Sequence, residues 1–135
     1  MSERHIVETT LRVRYAETDA MGIVYHANYI VWFEVGRGEY MRRMGGNYAE
    51  WEAQGIFLPV AEVWARFPAP ARYGDVVKVR TWVEEVRSRG VTFGYEVAKD
   101  DQILTTGWTK HVCVDAKGRV RTLPPRLREM LEGEG

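Results

Sequence analysis

Residues 19–44 of the chain read DAMGIVYHANYIVWFEVGRGEYMRRM, and this stretch decides the fold. From Asn28 to Met44, large apolar residues recur at steps of three and four, while charged residues fall largely elsewhere. That spacing predicts one long helix with a strongly apolar inner side. Gly45 and Gly46 follow directly, and glycines in that position are typical of a helix C-terminus.

The segments on either side of this helix are typical of β-strands. Before it, residues from Ile6 to Tyr15 alternate with a period of two, which predicts a half-buried strand. After it, a short helical piece from Tyr48 to Gln54 precedes four segments rich in Val, Thr and aromatic residues. The predicted strands are Ile56–Phe67, Val76–Val86, Val91–Lys99 and Ile103–Val114. The loops between the last three are short, so we expect antiparallel neighbours, followed by a short terminal helix that ends at Leu131.

This order of elements predicts an α+β fold, in which an antiparallel sheet of about five strands wraps a single long helix. A chain of 135 residues is long enough for one hydrophobic core but not for two, so we expect residues 1–135 to form one domain. The edges of so small a sheet need cover. Pairing of two chains edge to edge is the simplest cover, and it predicts a homo-oligomer.

The composition excludes several classes of protein. Lys plus Arg and Asp plus Glu both number 19, so no overall charge draws the chain to nucleic acid or to an anionic membrane. A single cysteine, Cys113, rules out an intramolecular disulfide and is expected to be a small buried hydrophobe. No apolar run is long enough for a membrane span, and the first residues lack a signal segment, so we expect a cytoplasmic protein.

The segment from Asp19 to Tyr29 carries the residues best suited to chemistry. Gly22 allows a backbone conformation that a side chain would forbid, and the first helical turn leaves N–H groups without intrahelical partners. These donors suit a carbonyl oxygen that acquires negative charge, and Asp19 is then a candidate nucleophile or general base. A lone Asp ahead of a helix is more often a cap, however, and His26 near a helix start is more often structural.

The sequence DAMGIVYHANY, followed by FEVGRGEYMR at residues 33–42, closely resembles the motif of the 4-hydroxybenzoyl-CoA thioesterase family, in particular its YbgC-like acyl-CoA thioesterases. A Pro-x-x-Tyr-Gly-Asp run at residues 70–75, the strand pair around residues 88–95 and the closing VDAKGRVRTLP at residues 114–124 follow in family order. The resemblance therefore covers nearly the whole chain, and its long ungapped motif makes it specific.

The resemblance implies a hot-dog fold, active sites at a dimer interface, and often a homotetramer formed from two homodimers. It implies that Asp19 is the catalytic carboxylate and that a backbone amide near His26 polarises the thioester carbonyl. His26 itself matches a histidine of the YbgC-like branch, as a second catalytic candidate. No metal and no cofactor are expected, because coenzyme A is part of the substrate and a thioester already has a good leaving group.

Further substrate-binding candidates lie around the motif and at a later turn. Gly22, Tyr25 and Asn28 are candidates for contact with the substrate, although aromatic residues at the start of a core helix are often simply core. The amide of Asn28 is also suited to capping the helix and orienting the loop. Arg87, Ser88 and Arg89 form a polar turn where family members bind the nucleotide end of CoA, but an Arg-rich hairpin turn is commonly plain surface.

Two acids near the motif have ordinary interpretations. We expect Glu17 to be a solvated residue and Glu34 to be a surface residue or an ion-pair partner of Arg37. A metal site of Asp19, His26 and Glu34 is disfavoured, because no second histidine or cysteine lies nearby.

Two other functions remain open from the sequence. A non-catalytic protein that binds acyl-CoA or acyl carrier protein would need the pocket but not Asp19, and a hot-dog hydratase or dehydratase would need an Asp–His pair. An acyl carrier protein is also a candidate partner of the hydrolase. The acyl group is not disclosed, so short aliphatic, medium-chain and aromatic acyl-CoAs are all candidates.

Overall fold

A computed structural model of the chain describes residues 5–46 and 48–133; the first residues, which enter the prediction about signal segments, lie outside this part. The strands are β1 (Val7–Arg12), β2 (Val60–Arg66), β3 (Val76–Arg87), β4 (Gly90–Lys99) and β5 (Gln102–Val112). The α-helices are α1 (Ala27–Arg43), α2 (Tyr48–Ala53) and α3 (Pro125–Leu131), and a short 3₁₀ turn covers Tyr15–Glu17. The predicted order of one strand, one long helix and four strands is confirmed.

The five strands form one antiparallel sheet in the order β1-β3-β4-β5-β2. The prediction that the last three strands are consecutive antiparallel neighbours is also confirmed. The strand β2 pairs with β5 only, so its other edge has no strand neighbour among the described residues.

Helix α1 lies directly against the inner face of the sheet, and Gly36 allows the close approach. A Cβ atom at Gly36 would lie only 2.3 Å from Thr81 Oγ1 and 2.8 Å from Val79 Cγ1, so any side chain there would push the helix away. Three residues earlier, the ring of Phe33 stacks on that of Tyr95 with centroids 4.3 Å apart. These contacts hold the middle of α1 against β3 and β4.

The predicted strand Ile56–Phe67 is wrong at its N-terminal end, because β2 begins only at Val60. Phe57 makes an isolated bridge with Val114 instead of joining the sheet as part of a strand. The carbonyl oxygen of Leu58 is bonded to His111 Nδ1 at 2.8 Å, and Pro59 has no N–H to give a strand neighbour. The strand β2 therefore begins only after Phe57, Leu58 and Pro59.

The prediction that Cys113 is a small buried hydrophobe is confirmed, because its side chain is fully buried. Lys110 and His111 lie on opposite faces of β5, with His111 inside the core. Across the described residues, no helix combines the length and the apolar character needed to cross a membrane.

Candidate active site

The loop between β1 and α1 holds Asp19 in a tight turn. The Met21 N–H donates to Asp19 Oδ1 at 2.8 Å, and the Gly22 N–H donates to the Asp19 carbonyl oxygen at 3.0 Å. Gly22 adopts a φ of +79°, which disfavours any residue with a Cβ atom. The sequence Asp-Ala-Met-Gly thus makes a turn that uses one carboxylate oxygen of Asp19. The other, Oδ2, has no hydrogen-bond donor within the described residues.

Glu17 anchors this loop to α1, and the prediction that it is a solvated residue is wrong. Its side chain is buried and accepts hydrogen bonds from the Arg14 N–H and from Trp32 Nε1, both at 2.8 Å. Burial alone would raise the pKa of Glu17, but the bonds from Arg14 and Trp32 and the charge of Arg14 lower it below its ordinary value on balance. The charged carboxylate therefore has a structural role as a hydrogen-bond acceptor and is not available as a general base.

Asn28 fixes the same loop from the helix side. Its Nδ2 donates to the carbonyl oxygen of Glu17 at 2.9 Å, and the Tyr25 N–H donates to that same oxygen. Asn28 is the second residue of α1, so it orients the loop as expected but is not the residue that caps the helix. The N-cap position belongs to His26.

The backbone N–H of His26 is better placed to bind a ligand than its imidazole ring is. The ring is exposed, makes no cap bond to α1, and packs against Tyr25 with centroids 4.5 Å apart. Among the described residues, the His26 N–H has no hydrogen-bond acceptor. It lies at the positive end of a 17-residue helix, which is where a developing oxyanion is best stabilised.

A cavity of about 270 Å³ brings Asp19 and His26 together. Its other walls are Ile23, Val24, Tyr29, Phe67, Pro68, Ala69 and Pro70. The predicted residues Gly22, Tyr25 and Asn28 do not line this cavity, so they shape the loop instead of forming its wall. The space is largely apolar apart from a carboxylate and a helix start, which suits an acyl carbonyl.

The wall formed by residues 67–70 was missed from the sequence. The Phe-Pro-Ala-Pro run follows β2, whereas the sequence placed Phe67 at the end of a predicted strand and gave residues 68–70 no role in the site. It is held in place by Tyr29, whose hydroxyl accepts the N–H of Ala71 at 2.9 Å, while the Val24 N–H donates to the Ala71 carbonyl oxygen. Two prolines in four residues were the available signal of a rigid, shaped segment.

The family of the chain follows from comparison with known proteins. Residues 13–131 match the family described as the thioesterase-like superfamily. The chain belongs to the thioesterase-like superfamily. This confirms the resemblance to 4-hydroxybenzoyl-CoA-type thioesterases on which the sequence interpretation rests.

Individual relatives of this thioesterase-like chain agree in sequence and in structure. The acyl-CoA thioester hydrolase YbgC of Escherichia coli O6:H1 is 30% identical over 119 residues, which cover 87% of this chain and 89% of YbgC. A hypothetical protein, TT1821, from Thermus thermophilus has a TM-score of 0.90 at 40% identity, covering 95% of this chain and 98% of that one. A DHNA-CoA thioesterase from Staphylococcus aureus has a TM-score of 0.91 at 34% identity, with 95% and 89% covered. The predicted hot-dog fold is therefore confirmed.

The Arg-rich turn of this thioesterase-like chain borders a separate cavity. Arg87, Ser88 and Arg89 line a space of about 290 Å³ together with Ala61, Gly90, Lys110, His111 and Val112. Arg87 and Arg89 are both exposed, and Arg87 lies 3.6 Å from a carboxylate oxygen of Glu85. The turn ends β3, whereas the Asp19 loop adjoins the residues that precede β3. The two sites are therefore at opposite ends of one chain's sheet.

Glu34 has the ordinary role that was predicted. Glu34 is largely exposed, and its Oε1 lies 3.9 Å from Arg37 NH2. Within the described part of the chain, no group of three or more His, Cys, Asp and Glu side chains is arranged to hold a metal ion.

Proposed function

We propose that this chain is an acyl-CoA thioesterase in which Asp19 is the catalytic carboxylate and the His26 N–H is the oxyanion donor. The observation that carries the proposal is the cavity that joins Asp19 to the first turn of α1. The relative from Escherichia coli is named as an acyl-CoA thioester hydrolase, which supports the reaction but not the roles of the residues. Coenzyme A enters as part of the substrate, and no further cofactor is proposed.

The geometry supplies the two groups that thioester hydrolysis needs. The thioester carbonyl enters the cavity with its oxygen toward the His26 N–H, and its carbon faces the free Oδ2 of Asp19. Either Oδ2 attacks the carbon, or Asp19 takes a proton from a water molecule whose oxygen attacks. In both routes the carbonyl oxygen becomes an oxyanion, and its collapse breaks the C–S bond and releases the CoA thiolate. In the first route the acyl group is then bonded to Asp19 as an anhydride, and attack by water on this anhydride releases the free acid and restores the carboxylate.

The first test compares Asp19→Asn with Asp101→Asn, which changes an exposed acid in the turn between β4 and β5. Asn keeps the shape of Asp19 and its bond from Met21, but removes the charge. We expect kcat to fall by about a thousandfold or more in Asp19→Asn and to stay unchanged in Asp101→Asn. The assay is release of free thiol from a panel of acyl-CoAs. Full turnover by Asp19→Asn would remove Asp19 from the mechanism.

A homodimer through β2 is the second part of the proposal. The strand is exposed at almost every position, and Val63 and Trp64 are 48% and 47% exposed. An open edge of seven residues is a template for pairing with another chain. Antiparallel pairing of two β2 strands places the Val60 end of one strand beside the Arg66 end of the other.

This pairing explains how the Arg-rich turn reaches the substrate. Along β3, the Asp19 end and the Arg87 end of one chain are separated by roughly 36 Å, because the strand has twelve residues and each of the eleven steps between them rises about 3.3 Å. Ala61 of β2 borders the cavity at Arg87–Arg89, while Phe67 borders the cavity at Asp19. In the antiparallel dimer, the turn of one chain therefore approaches the catalytic cavity of the other, where its cations can hold the CoA phosphates.

The dimer is tested by placing a charge on the edge. Val63→Lys puts an ammonium group on β2, and Ile103→Lys puts one at a similarly exposed position on β5, away from the β2 edge. Sedimentation velocity is expected to show a dimer for wild type and Ile103→Lys and a monomer for Val63→Lys, with turnover reduced roughly tenfold or more because each site loses its partner's cations. A fully active monomer would contradict the two-chain site. Further assembly to a tetramer, an acyl carrier protein partner and a cytoplasmic location stay predictions.

A further inference from the structure

Helix α1 carries a buried cation that none of the roles above uses. Arg37 lies in the middle of α1, and its side chain is only 10% exposed. Its Nε donates to the Tyr48 hydroxyl at 3.0 Å and its NH1 to the Tyr95 hydroxyl at 3.2 Å. The nearest carboxylate oxygen, on Glu34, is 3.9 Å from NH2 and belongs to a side chain that is 60% exposed. The third nitrogen of the guanidinium thus lacks an acceptor at hydrogen-bond distance within the described residues.

A chain of hydrogen bonds fixes Arg37 in this position. The Tyr95 hydroxyl bonds to Thr109 Oγ1 at 2.6 Å, Thr109 Oγ1 to His111 Nε2 at 2.7 Å, and His111 Nδ1 to the Leu58 carbonyl oxygen. Because the Leu58 carbonyl can only accept, His111 carries its proton on Nδ1 and accepts at Nε2. The Thr109 hydroxyl therefore donates to His111, the Tyr95 hydroxyl donates to Thr109, and Arg37 donates to Tyr95. Burial lowers the pKa of Arg37, but the two tyrosines raise it on balance, so the guanidinium stays charged.

Arg37 lines a cavity of about 450 Å³. Phe57, Leu58 and Pro59 form an apolar wall immediately before β2. Two carboxylates also lie on the wall: Asp115 is already bonded to the backbone of Lys117 and to Arg119, while Glu52 is exposed to water. These carboxylates disfavour an anionic occupant, so the cavity suits an apolar group that ends in a neutral oxygen acceptor.

We propose that this cavity binds the far end of the acyl group of the substrate held by the partner's Asp19, and that Arg37 selects acyl groups with a hydroxyl or keto oxygen there. The inference rests on the proposed thioesterase function and on the antiparallel β2 dimer. Residues 57–59 lie at the Val60 end of β2, and that end is placed beside the partner's catalytic cavity. Within one chain, by contrast, eleven residues of α1 separate His26 from Arg37, a distance of roughly 16 Å along the helix.

The test measures kcat/KM for pairs of acyl-CoAs of increasing length that end in either a hydroxyl or a methyl group, with equal numbers of heavy atoms. Wild type is expected to prefer the hydroxyl member at one or more lengths by roughly tenfold to a hundredfold, which is typical of a hydrogen bond from a charged donor. Arg37→Met is expected to abolish that preference while keeping turnover of the methyl series. Equal rates for both members at every length would overturn the inference.

A second variant leaves the hydrogen-bond chain intact. Ala116→Trp places an indole on the exposed turn that borders the cavity, and Ala49→Trp places one on the exposed side of α2, outside the cavity. Only Ala116→Trp is expected to lose the preference for the hydroxyl series. Retained preference in a folded Ala116→Trp protein would show that the cavity does not hold the acyl end.

Mixed dimers distinguish a site made by two chains from a site within one chain. A dimer of one Asp19→Asn chain and one Arg37→Met chain, isolated through two different affinity tags, contains one complete pair of Asp19 and Arg37 only if they act across the interface. We expect this dimer to recover the hydroxyl preference at about half the wild-type rate. Recovery of turnover without the preference would overturn the two-chain arrangement. Absence of turnover by wild type on every acyl-CoA would instead refute the proposed function itself.

Discussion

The chain makes the same turn twice, at Asp19-Ala-Met-Gly22 and at Asp115-Ala-Lys-Gly118, and only the first borders the cavity shared with His26. In each turn the Asp Oδ1 accepts the N–H two residues on, at 2.8 Å and 2.9 Å, and the Gly N–H donates to the Asp carbonyl oxygen. The glycine φ angles are +79° and +81°. The local sequence therefore dictates the backbone of the turn but not its use.

The two turns differ in what surrounds the carboxylate. Asp115 also accepts the Arg119 N–H at 3.0 Å and Arg119 Nε at 3.3 Å, so both of its oxygens are occupied. The bond from the Arg119 backbone is the main reason that its pKa lies below the ordinary value. Within the described residues, Asp19 Oδ2 accepts no hydrogen bond and the His26 N–H donates none, and both residues line the same cavity. A site forms where polar groups are left for a ligand, and a structural turn forms where the chain uses them itself.

The largest expected effect concerns His111, whose two ring nitrogens are both hydrogen-bonded. Burial first, and the charge of Arg37 second, lower its pKa to about 4, although the Leu58 carbonyl opposes the shift. Between about pH 6.5 and pH 4 the unfolded chain binds a proton that the folded chain does not, so stability falls as the pH falls through this window. The loss amounts to roughly 3 kcal/mol.

The measurement for His111 is urea unfolding at several values between pH 7 and pH 4.5. His111→Gln is expected to be less stable than wild type at pH 7 but to lose less of its stability as the pH falls. His5→Gln, at an exposed histidine, is the control. If His111→Gln left the pH dependence of the free energy of unfolding unchanged, the hydrogen bonds from Arg37 to Leu58 would tolerate protonation of His111. Full hydrogen bonding would then not distinguish a structural group from a functional one in this protein.

The sequence predicted the elements of this fold better than it predicted the partners of polar side chains. Helix α1 and the strand segments were predicted from periodicity, because burial of one face repeats along the chain. The places of β1 and β2 at the two ends of the strand order were not predicted. The series of hydrogen bonds that begins at Arg37 joins α1 to β4, to β5 and to the residues before β2, and no local pattern encodes contacts that depend on tertiary packing. Glu17 was missed for the same reason, since its acceptor role depends on Trp32, fifteen residues away.

The position of Asp19 was predicted from the sequence, but the cavity around it was not. The free carboxylate and the free helix N–H follow from a turn placed just before a helix. Residues 67–70 of this wall lie in the loop between β2 and β3. Their position depends on the hydrogen bond from the Ala71 N–H to the Tyr29 hydroxyl, which forms only in the folded chain.

A smaller effect is expected when the backbone of the catalytic turn is strained. Gly22→Ala and Gly55→Ala both place a Cβ at a φ of +79° with no atom within 4 Å, so each should cost about 1 kcal/mol of stability from the backbone alone. Only Gly22→Ala is also expected to lower kcat, by roughly tenfold, because it moves Asp19 relative to the start of α1. Urea unfolding and thiol-release kinetics measure the two effects, and equal kinetics would show that the turn does not position the carboxylate.

The smallest expected effect is a difference in thermal stability between the variants Asp115→Asn and Asp19→Asn. Asp115→Asn loses the charge that holds Arg119, so its thermal midpoint is expected to fall by roughly a few degrees at most at pH 7, as for other exposed pairs. Because the folded-state pKa of Asp115 is lowered, its contribution is present above the ordinary carboxyl pKa and is lost as the pH falls through the lowered value. Asp19→Asn keeps its bond from Met21 and gives up no ion pair, so its midpoint should not fall. A fall in Asp19→Asn as large as that in Asp115→Asn would mean that both carboxylates are structural, and the contrast between the two turns would then rest on the cavity alone.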